Sequence, residues 1–228
     1  DLKMVANLHA HKEGYGLSNG LYVRKDLGIT SLQGLKGKKI GISTYGSTMD
    51  IETRALLIQA GMDPKKDVQL LEISNPAGVK AINAGRIDAY FFPAGFIPAV
   101  RKKNVMIADT FDIKEYKGRI TNNAPITISG EFIRKNRETA VQWLTQYLKS
   151  YRFVIDNVEE SNKIWSKWAK RKKNASIYYL PRDAELDKKG LQATIDLMVR
   201  YGYLKKRLDI NTIVDMSLIR EAKARLEK

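Results

Sequence analysis

Residues 37–92 read GKKIGISTYGSTMDIETRALLIQAGMDPKKDVQLLEISNPAGVKAINAGRIDAYFF, and this stretch decides the fold. Short apolar runs alternate in it with helical patterns that end at glycines. We predict strands over 39–43, 68–73 and 88–92, and a helix over 48–60 between the first two. Alternation of this kind indicates a parallel sheet wrapped by crossover helices, which is an α/β fold.

Further elements continue this series to residue 108. Asn75 and Pro76 are predicted to cap and open a second helix that ends at Gly85. Pro93 breaks the third strand, and we predict a short helix over about 96–103 and a fourth strand over 105–108. The residues expected to face inward from the first two helices are Ile51, Ala55, Ile58, Val79 and Ile82.

Beyond Glu131 the pattern changes to helical spacing, so the C-terminal part is predicted to be mainly α. Residues 1–12 supply one strand at most. Three apolar stripes mark the helices: Val141, Leu144, Leu148 and Tyr151; Ile195, Met198 and Val199; and Ile213, Met216, Ile219 and Leu226.

The composition narrows the function classes. The 228 residues include no cysteine, which excludes disulfides, thiolate metal sites and cysteine nucleophiles within them. No stretch is apolar enough to span a membrane, and the chain starts at Asp1 without a signal peptide, so we expect its natural beginning and any export signal to be missing. No nucleophile elbow, carboxylate pair or Walker loop is present, and we predict no enzymatic activity.

The net charge of +15 raises the question of an anionic partner. The densest basic run is Lys170-Arg171-Lys172-Lys173, directly after a helical segment with Ile164, Trp165 and Trp168. Such a run at a helix C-terminus complements the helix dipole and is typical of solvated surface. Binding to nucleic acid or an anionic surface is the alternative, and we expect it to be weak and non-specific.

The loop after the first strand is the best candidate for a binding site, because ligands of open α/β sheets bind beyond the carboxyl ends of the strands. It comprises Thr44, Tyr45, Gly46, Ser47 and Thr48. Its glycine permits close backbone approach, and the free N–H groups of the following helix favour a carboxylate, sulfonate, phosphate or nitrate. Simple capping, with Ser47 and Asp50 as a variant capping box, explains the same residues.

Other candidates follow the neighbouring strands. Asn75 opens a helix at the same sheet edge, and Phe92 and Phe96 flank a Pro-Ala-Gly turn where they are suited to wall an apolar ligand surface. His9 and His11 would share one face of a strand, but a third metal ligand is not identified, and we predict no metal site and no cofactor.

The segments carrying these features resemble a known family. Residues 34–92, together with EFIRKNRETAVQWLTQYLKSYRFVIDN (131–157) and LDINTIVDMSLIREA (208–222), closely resemble periplasmic binding proteins of the nitrate, sulfonate, taurine and thiamine-precursor group. The ordered series covers nearly the whole chain. The resemblance implies the two-lobed type II periplasmic binding fold, with residues 1–16 as a remnant of the first lobe, 17–130 as an α/β ligand-binding lobe and 131–228 as the helical part of the other lobe.

The resemblance also implies a function. The chain would be the substrate-binding component of an ABC importer at the periplasmic or extracellular face of the membrane, capturing a sulfonate, nitrate or pyrimidine-like solute in a cleft that closes by hinge motion. The Tyr45–Thr48 turn would face the solute, with Asn75, Phe92 and Asn122 nearby. A membrane permease would be the partner, and the full-length binding protein would be a monomer.

Two departures from the family bear on these expectations. Full members begin with a strand and helix that build half of the first lobe, which this sequence lacks. An enzyme related to thiamine-pyrimidine synthesis is the alternative on the same fold. Relatives of that kind carry a cysteine-rich motif, whereas this sequence has no cysteine.

Overall fold

The computed structural model describes residues 1–169 and 178–228, without the side chains of 122, 123 and 169. The predicted basic run at 170–173 lies outside the described residues. In chain order the strands are β1 (Leu2–Lys12), β2 (Gly20–Arg24), β3 (Lys39–Ile42), β4 (Gln69–Glu72), β5 (Ala89–Phe92), β6 (Asn104–Asp109) and β7 (Ile120–Ser129). The helices are α1 (Thr48–Gln59), α2 (Asn75–Asn83), α3 (Ile97–Val100), α4 (Gly130–Lys135), α5 (Arg137–Asp156), α6 (Val158–Ala169), α7 (Lys188–Arg200), α8 (Ile210–Ile213) and α9 (Ser217–Leu226).

Two compact units divide the chain. The helical unit consists of Asp1–Gly16, Arg119–Ile195 and Lys206–Lys228, and the sheet unit consists of Leu17–Gly118 and Asp196–Lys205. The lobe that we predicted over 17–130 thus ends earlier, because β7 pairs with β1 of the helical unit. Among the described residues, no helix combines the length and apolar character needed to cross a bilayer.

The sheet unit contains a five-stranded sheet in the order β4-β3-β5-β2-β6. Strands β4, β3 and β5 are parallel, as predicted. Strand β2 was not predicted. It lies antiparallel between β5 and β6, so that β6 runs in the same direction as the other three.

Helix α1 begins and ends close to the predicted bounds. Its Ile51 and Ala55 are buried, because they face the sheet. Ile58 is different: it is 42% exposed in the last turn and lines a cavity with Arg54 and Tyr201, so its predicted inward position is wrong.

Helix α2 packs very closely on β5. A Cβ atom at Gly78 would lie 2.2 Å from the Tyr90 ring, so only glycine allows this approach. Ser74, not Asn75, occupies the N-cap position, and Asn75 is the first helical residue. The helix predicted over about 96–103 is shorter and consists of a 3-10 turn over Ala94–Phe96 followed by α3.

The helical unit pairs β1 with β7 in a two-stranded antiparallel sheet of irregular register. The predicted stripe on α5 is confirmed, since Val141, Leu144, Leu148 and Tyr151 are all buried. The predicted last helix is wrong at its start. Val214 is extended and bridges to Met4, which separates α8 from α9.

Candidate functional site

The candidate site lies in the sheet unit, at the edge where the parallel strands end. Because β3, β4 and β5 are parallel, the loops that follow them meet at one edge of the sheet. Strand β6 ends there too, and β2 starts there. The predicted loop 44–48, Asn75 and Phe96 therefore share this strand-end edge.

Two backbone amides of the loop before α1 donate hydrogen bonds to carboxylates of the same unit. Gly46 adopts a left-handed conformation, with φ of 76°, and its N–H donates to Asp50 Oδ2 at 2.9 Å. The Tyr45 N–H donates to Glu72 Oε2 at 2.9 Å. These two loop amides are thus already bound to carboxylates.

Ser47 caps α1 as predicted, because its Oγ accepts the Asp50 N–H at 3.4 Å. The capping is only half of a capping box, since the Asp50 carboxylate reaches Gly46 and not Ser47. In the described part of the chain, the amides of Thr48 and Met49 donate to no acceptor. Those two N–H groups are the ones left for a ligand at this helix start.

Asp50 is the centre of this arrangement. Its carboxylate is completely buried and accepts a hydrogen bond from Arg54 Nε at 2.7 Å. The Tyr203 hydroxyl, from the second segment of the sheet unit, donates to the same carboxylate. Burial raises the pKa of Tyr203 to about 12, and the hydrogen bond to the Asp50 carboxylate raises it too. The phenol therefore stays protonated and can donate at neutral pH.

Two further residues of the predicted loop remain accessible. Tyr45 is 51% exposed, although its hydroxyl donates to the Leu70 carbonyl at 2.9 Å. Thr44 is exposed, and its hydroxyl donates to the Ser43 carbonyl at 2.7 Å. The Tyr45 side chain is therefore accessible to a ligand from solvent.

Asn75 and the aromatic residues divide into edge and core. The Tyr90 hydroxyl lies 2.9 Å from Asn75 Oδ1 and 2.6 Å from the Ile73 carbonyl, which orients the Asn75 side chain. Phe92 is completely buried and stacks on Tyr90 with ring centroids 4.2 Å apart. Phe92 is therefore part of the core and not the wall of a ligand surface that we predicted, whereas Phe96 is half-buried at the edge.

Three polar residues at this edge were not predicted. Asn19, just before β2, accepts the Ala94 N–H with its Oδ1 at 3.1 Å. The Thr110 hydroxyl lies 2.9 Å from Oε2 of the buried Glu52. The sequence did contain a signal for Glu52. It is an acidic residue directly after the inward-facing Ile51 of α1, and a buried carboxylate requires polar partners.

Carboxylates dominate the charge at this edge. Arg54 forms an ion pair with one of them, Asp50. The acidic residues of the edge are Asp50, Glu52, Glu72, Asp109 and Asp112.

Asn122 and the two histidines, His9 and His11, lie in the helical unit. The Asn122 side chain is outside the described part of the structure. His9 stacks on Tyr178 with centroids 4.3 Å apart, and His11 contacts the same ring edge-on, so both histidines do share a face. Among the described residues no group of three or more potential metal ligands is present.

A family model, described as NMT1/THI5 like, matches residues 2–161. The chain belongs to this family.

Solved structures agree with the NMT1/THI5-like assignment at the level of the fold. The periplasmic nitrate-binding protein NrtA from Synechocystis PCC 6803 superposes with a TM-score of 0.75 at 18% identity, covering 99% of this chain and 68% of that one. The putative periplasmic sulfonate-binding protein SsuA from Methylobacillus flagellatus KT gives 0.71 at 18% identity, covering 99% and 70%. The desulfurization enzyme DSZB gives 0.69 at 14% identity, covering 99% and 80%. This member of the NMT1/THI5-like family thus has the fold of periplasmic binding proteins, as predicted.

Proposed function

We propose that the chain is the solute-binding component of an ABC-type importer and binds a small solute at the strand-end edge of the sheet unit. Family membership and the fold shared with nitrate- and sulfonate-binding proteins support this function. The convergence of the loops after β3, β4 and β5 on one edge supports the location, as expected for ligand sites of α/β sheets.

The partner in this proposal is a membrane permease that recognises the solute-loaded protein, and the place of action is the periplasmic or extracellular face of the membrane. SsuA and NrtA are periplasmic proteins, which supports that place. Capture would shift the protein toward its solute-bound conformation, since a ligand favours the state that it binds more tightly.

The charges at the edge favour one of the two solute classes considered. Glu72 and Asp50 already occupy the amides of Tyr45 and Gly46. A fully ionised sulfonate or nitrate would have to displace these carboxylates or lie close to them, which like charges disfavour. A neutral heteroaromatic solute with amino groups can instead donate to Glu72 and stack on Tyr45. We therefore propose a pyrimidine-like, donor-bearing solute over an anion.

The test is a ligand panel measured by thermal shift and calorimetry. Aminopyrimidines should raise the unfolding temperature in a concentration-dependent way, because a ligand at 100 times its Kd adds about 2.7 kcal/mol to stability. Nitrate, bicarbonate, taurine and an alkanesulfonate should not. Stabilisation by one of these anions alone would reject the solute class but keep the receptor function, and stabilisation by none of the panel would count against both.

A pair of variants locates the site. Asn75→Ala removes an amide at the strand-end edge and should weaken binding of the best ligand about tenfold, the effect of one hydrogen bond. Asn83→Ala, at the other end of α2, is the matched control and should leave the affinity within about twofold. Equal effects of the two substitutions would place the ligand elsewhere.

An enzyme is the alternative function, because DSZB shares the fold. The structure of a variant of that enzyme in which serine replaces a cysteine has been solved with biphenyl-2-sulfinic acid. The present 228 residues include no cysteine. We expect no conversion of biphenyl-2-sulfinic acid or of any bound pyrimidine on prolonged incubation. Product formation above that of the heat-denatured protein would overturn this expectation.

A further inference from the structure

A second cavity of the sheet unit lies at the opposite end of the sheet from the candidate site. It forms where β2 ends, β6 begins and α2 terminates, and its volume is about 560 Å³. That volume falls within the range of small-molecule sites in proteins. Its polar lining is contributed mainly by Arg24, Lys25, Asp26, Lys102, Lys103 and Asn104.

The cavity is strongly basic. Four cationic residues and one acidic residue, Asp26, line the cavity, so its lining carries a net charge of +3. Asp26 is already committed, because both of its oxygens accept hydrogen bonds from the Arg24 guanidinium at 3.1 and 3.0 Å. Grouping like charges around one cavity is unfavourable unless an anion offsets them.

The arginine is held in place by the backbone. Arg24 Nη1 donates to the Gly85 carbonyl at 2.8 Å. A Cβ atom at Gly85 would lie 2.8 Å from the same nitrogen, so the guanidinium packs directly on the backbone of the turn after α2. Arg24 is thereby a fixed wall of the cavity.

The lysines retain donors after their own contacts are counted. Lys25 Nζ donates to the Lys102 carbonyl at 3.1 Å, and Lys103 Nζ lies 3.5 Å from the Asn83 carbonyl. Each ammonium has three N–H groups, so each keeps at least one for a ligand. Capping of the α2 C-terminus accounts for Lys103 and Arg24, but it does not account for Lys25 or Lys102.

The buried side-chain amide of Asn104 connects β6 with α2 and α3 beside the cavity. Asn104 is 1% exposed, and its Nδ2 donates to Asn83 Oδ1 and to the Val100 carbonyl, both at 2.9 Å. The Lys25 N–H also donates to the Lys103 carbonyl at 3.1 Å. The backbone positions from which the four cations project are therefore connected to one another.

We propose that this basic cavity binds a phosphate group, which carries close to two negative charges at neutral pH and several acceptor oxygens. The compact charge of a phosphate complements three ammonium groups and a guanidinium better than a ligand with a single carboxylate group does. The phosphate can belong to a free phosphate compound or to a lipid headgroup.

The test uses inorganic phosphate and pyrophosphate with the full chain in an amide NMR titration at constant ionic strength. Amides of residues 24–26, 84–86 and 102–104 should shift and saturate, with pyrophosphate binding more tightly because it carries more charge. The double variant Lys25→Gln/Lys102→Gln should weaken pyrophosphate binding about tenfold or more.

The matched control is Lys36→Gln/Lys66→Gln, which removes the same charge from two exposed positions that do not line the cavity. It should change the affinity less than about twofold. Shifts that never saturate, or equal weakening by both double variants, would show attraction to the net charge alone and overturn the proposal.

Vesicles separate the two sources of phosphate. Cosedimentation with phosphatidic acid vesicles that the Lys25→Gln/Lys102→Gln variant abolishes would assign the cavity to a lipid headgroup, whereas saturable binding of soluble pyrophosphate alone would assign it to a free phosphate compound. Binding of neither overturns the proposal. The outcome is independent of the solute site, because neither lysine lies at the strand-end edge.

Discussion

At the scale of single residues, Asp50 explains why the loop before α1 has its observed form. A completely buried carboxylate is tolerated only when charged or polar partners surround it. Asp50 has three such partners, from the loop, from its own helix and from the second segment of the sheet unit: Gly46, Arg54 and Tyr203. One side chain thereby connects the candidate site to a segment 153 positions away in sequence.

The substitution Tyr203→Phe tests this role. It removes the hydroxyl donor and leaves Asp50 with two partners, so we expect a loss of about 1.5–3 kcal/mol in the free energy of unfolding, measured in urea. Tyr45→Phe is the control, because that hydroxyl binds a neutral carbonyl on a half-exposed side chain and should cost less than about 1 kcal/mol. Equal losses in the two variants would contradict a special role for the Asp50 contact.

Sequence patterns identified only part of this residue network. Ser47 and Asp50 stand at capping positions, which is a local signal, and Gly46 precedes them. Glu72 and Tyr203 carry no such signal, because their contacts with the loop are set by strand order and by the packing of a distant segment. The position of Phe92 was predicted wrongly for a related reason. Alternation along a strand shows which residues share a face, but it does not show whether that face is buried or open.

At the scale of elements, the contact of α2 with β5 depends on the absence of a side chain. Gly78 lies over the Tyr90 ring, and Gly41 of β3 lies against the same ring from the neighbouring strand, where a Cβ atom would be 2.3 Å away. The ring is completely buried between these two glycines.

Gly78→Ala should therefore destabilise the protein by at least about 1–3 kcal/mol, the usual cost of overpacking. Helix propensity alone predicts the opposite, a gain of about 1 kcal/mol. Ala77→Gly, at the exposed neighbouring position of α2, is the control and should cost about that propensity difference. A Gly78→Ala variant with a raised unfolding midpoint would show that α2 can move away from the ring.

At the scale of the whole molecule, the ion pairs that lower carboxyl pKa values are concentrated in the helical unit. The Arg225 guanidinium lowers the pKa of Glu138 to about 2, and it also lowers the pKa of Glu221. Hydrogen bonds from Lys223 and Arg182 lower the pKa values of Asp183 and Asp156 respectively.

These shifts predict how stability depends on pH. A carboxyl whose pKa is lower in the folded chain stabilises the fold fully above its ordinary value, here 4.5 for Glu138, and loses that contribution as the pH falls toward about 2. Glu138→Gln should thus lower the unfolding temperature at pH 7, and the difference from the parent should shrink as the pH approaches 2. A difference that stays constant over this range would exclude the Arg225 contact as its cause.

Glu131→Gln serves as the control, because its partner Lys135 lies on the same helix and both side chains are well exposed. Its effect on the unfolding temperature should be small at every pH, as exposed pairs contribute little. The comparison separates loss of a specific pair from the general change in net charge.

The sequence by itself determined the α/β character, the four strands from β3 to β6, the position of α1 and the family resemblance, because strand and helix periods, caps and glycine stops are local signals. Only the tertiary structure decided the rest. It placed β2 between β5 and β6 and brought Tyr203 to Asp50. It also paired two loop amides with carboxylates and placed four cationic residues around one cavity. Those features depend on contacts between residues far apart in the chain, which no short window of sequence encodes.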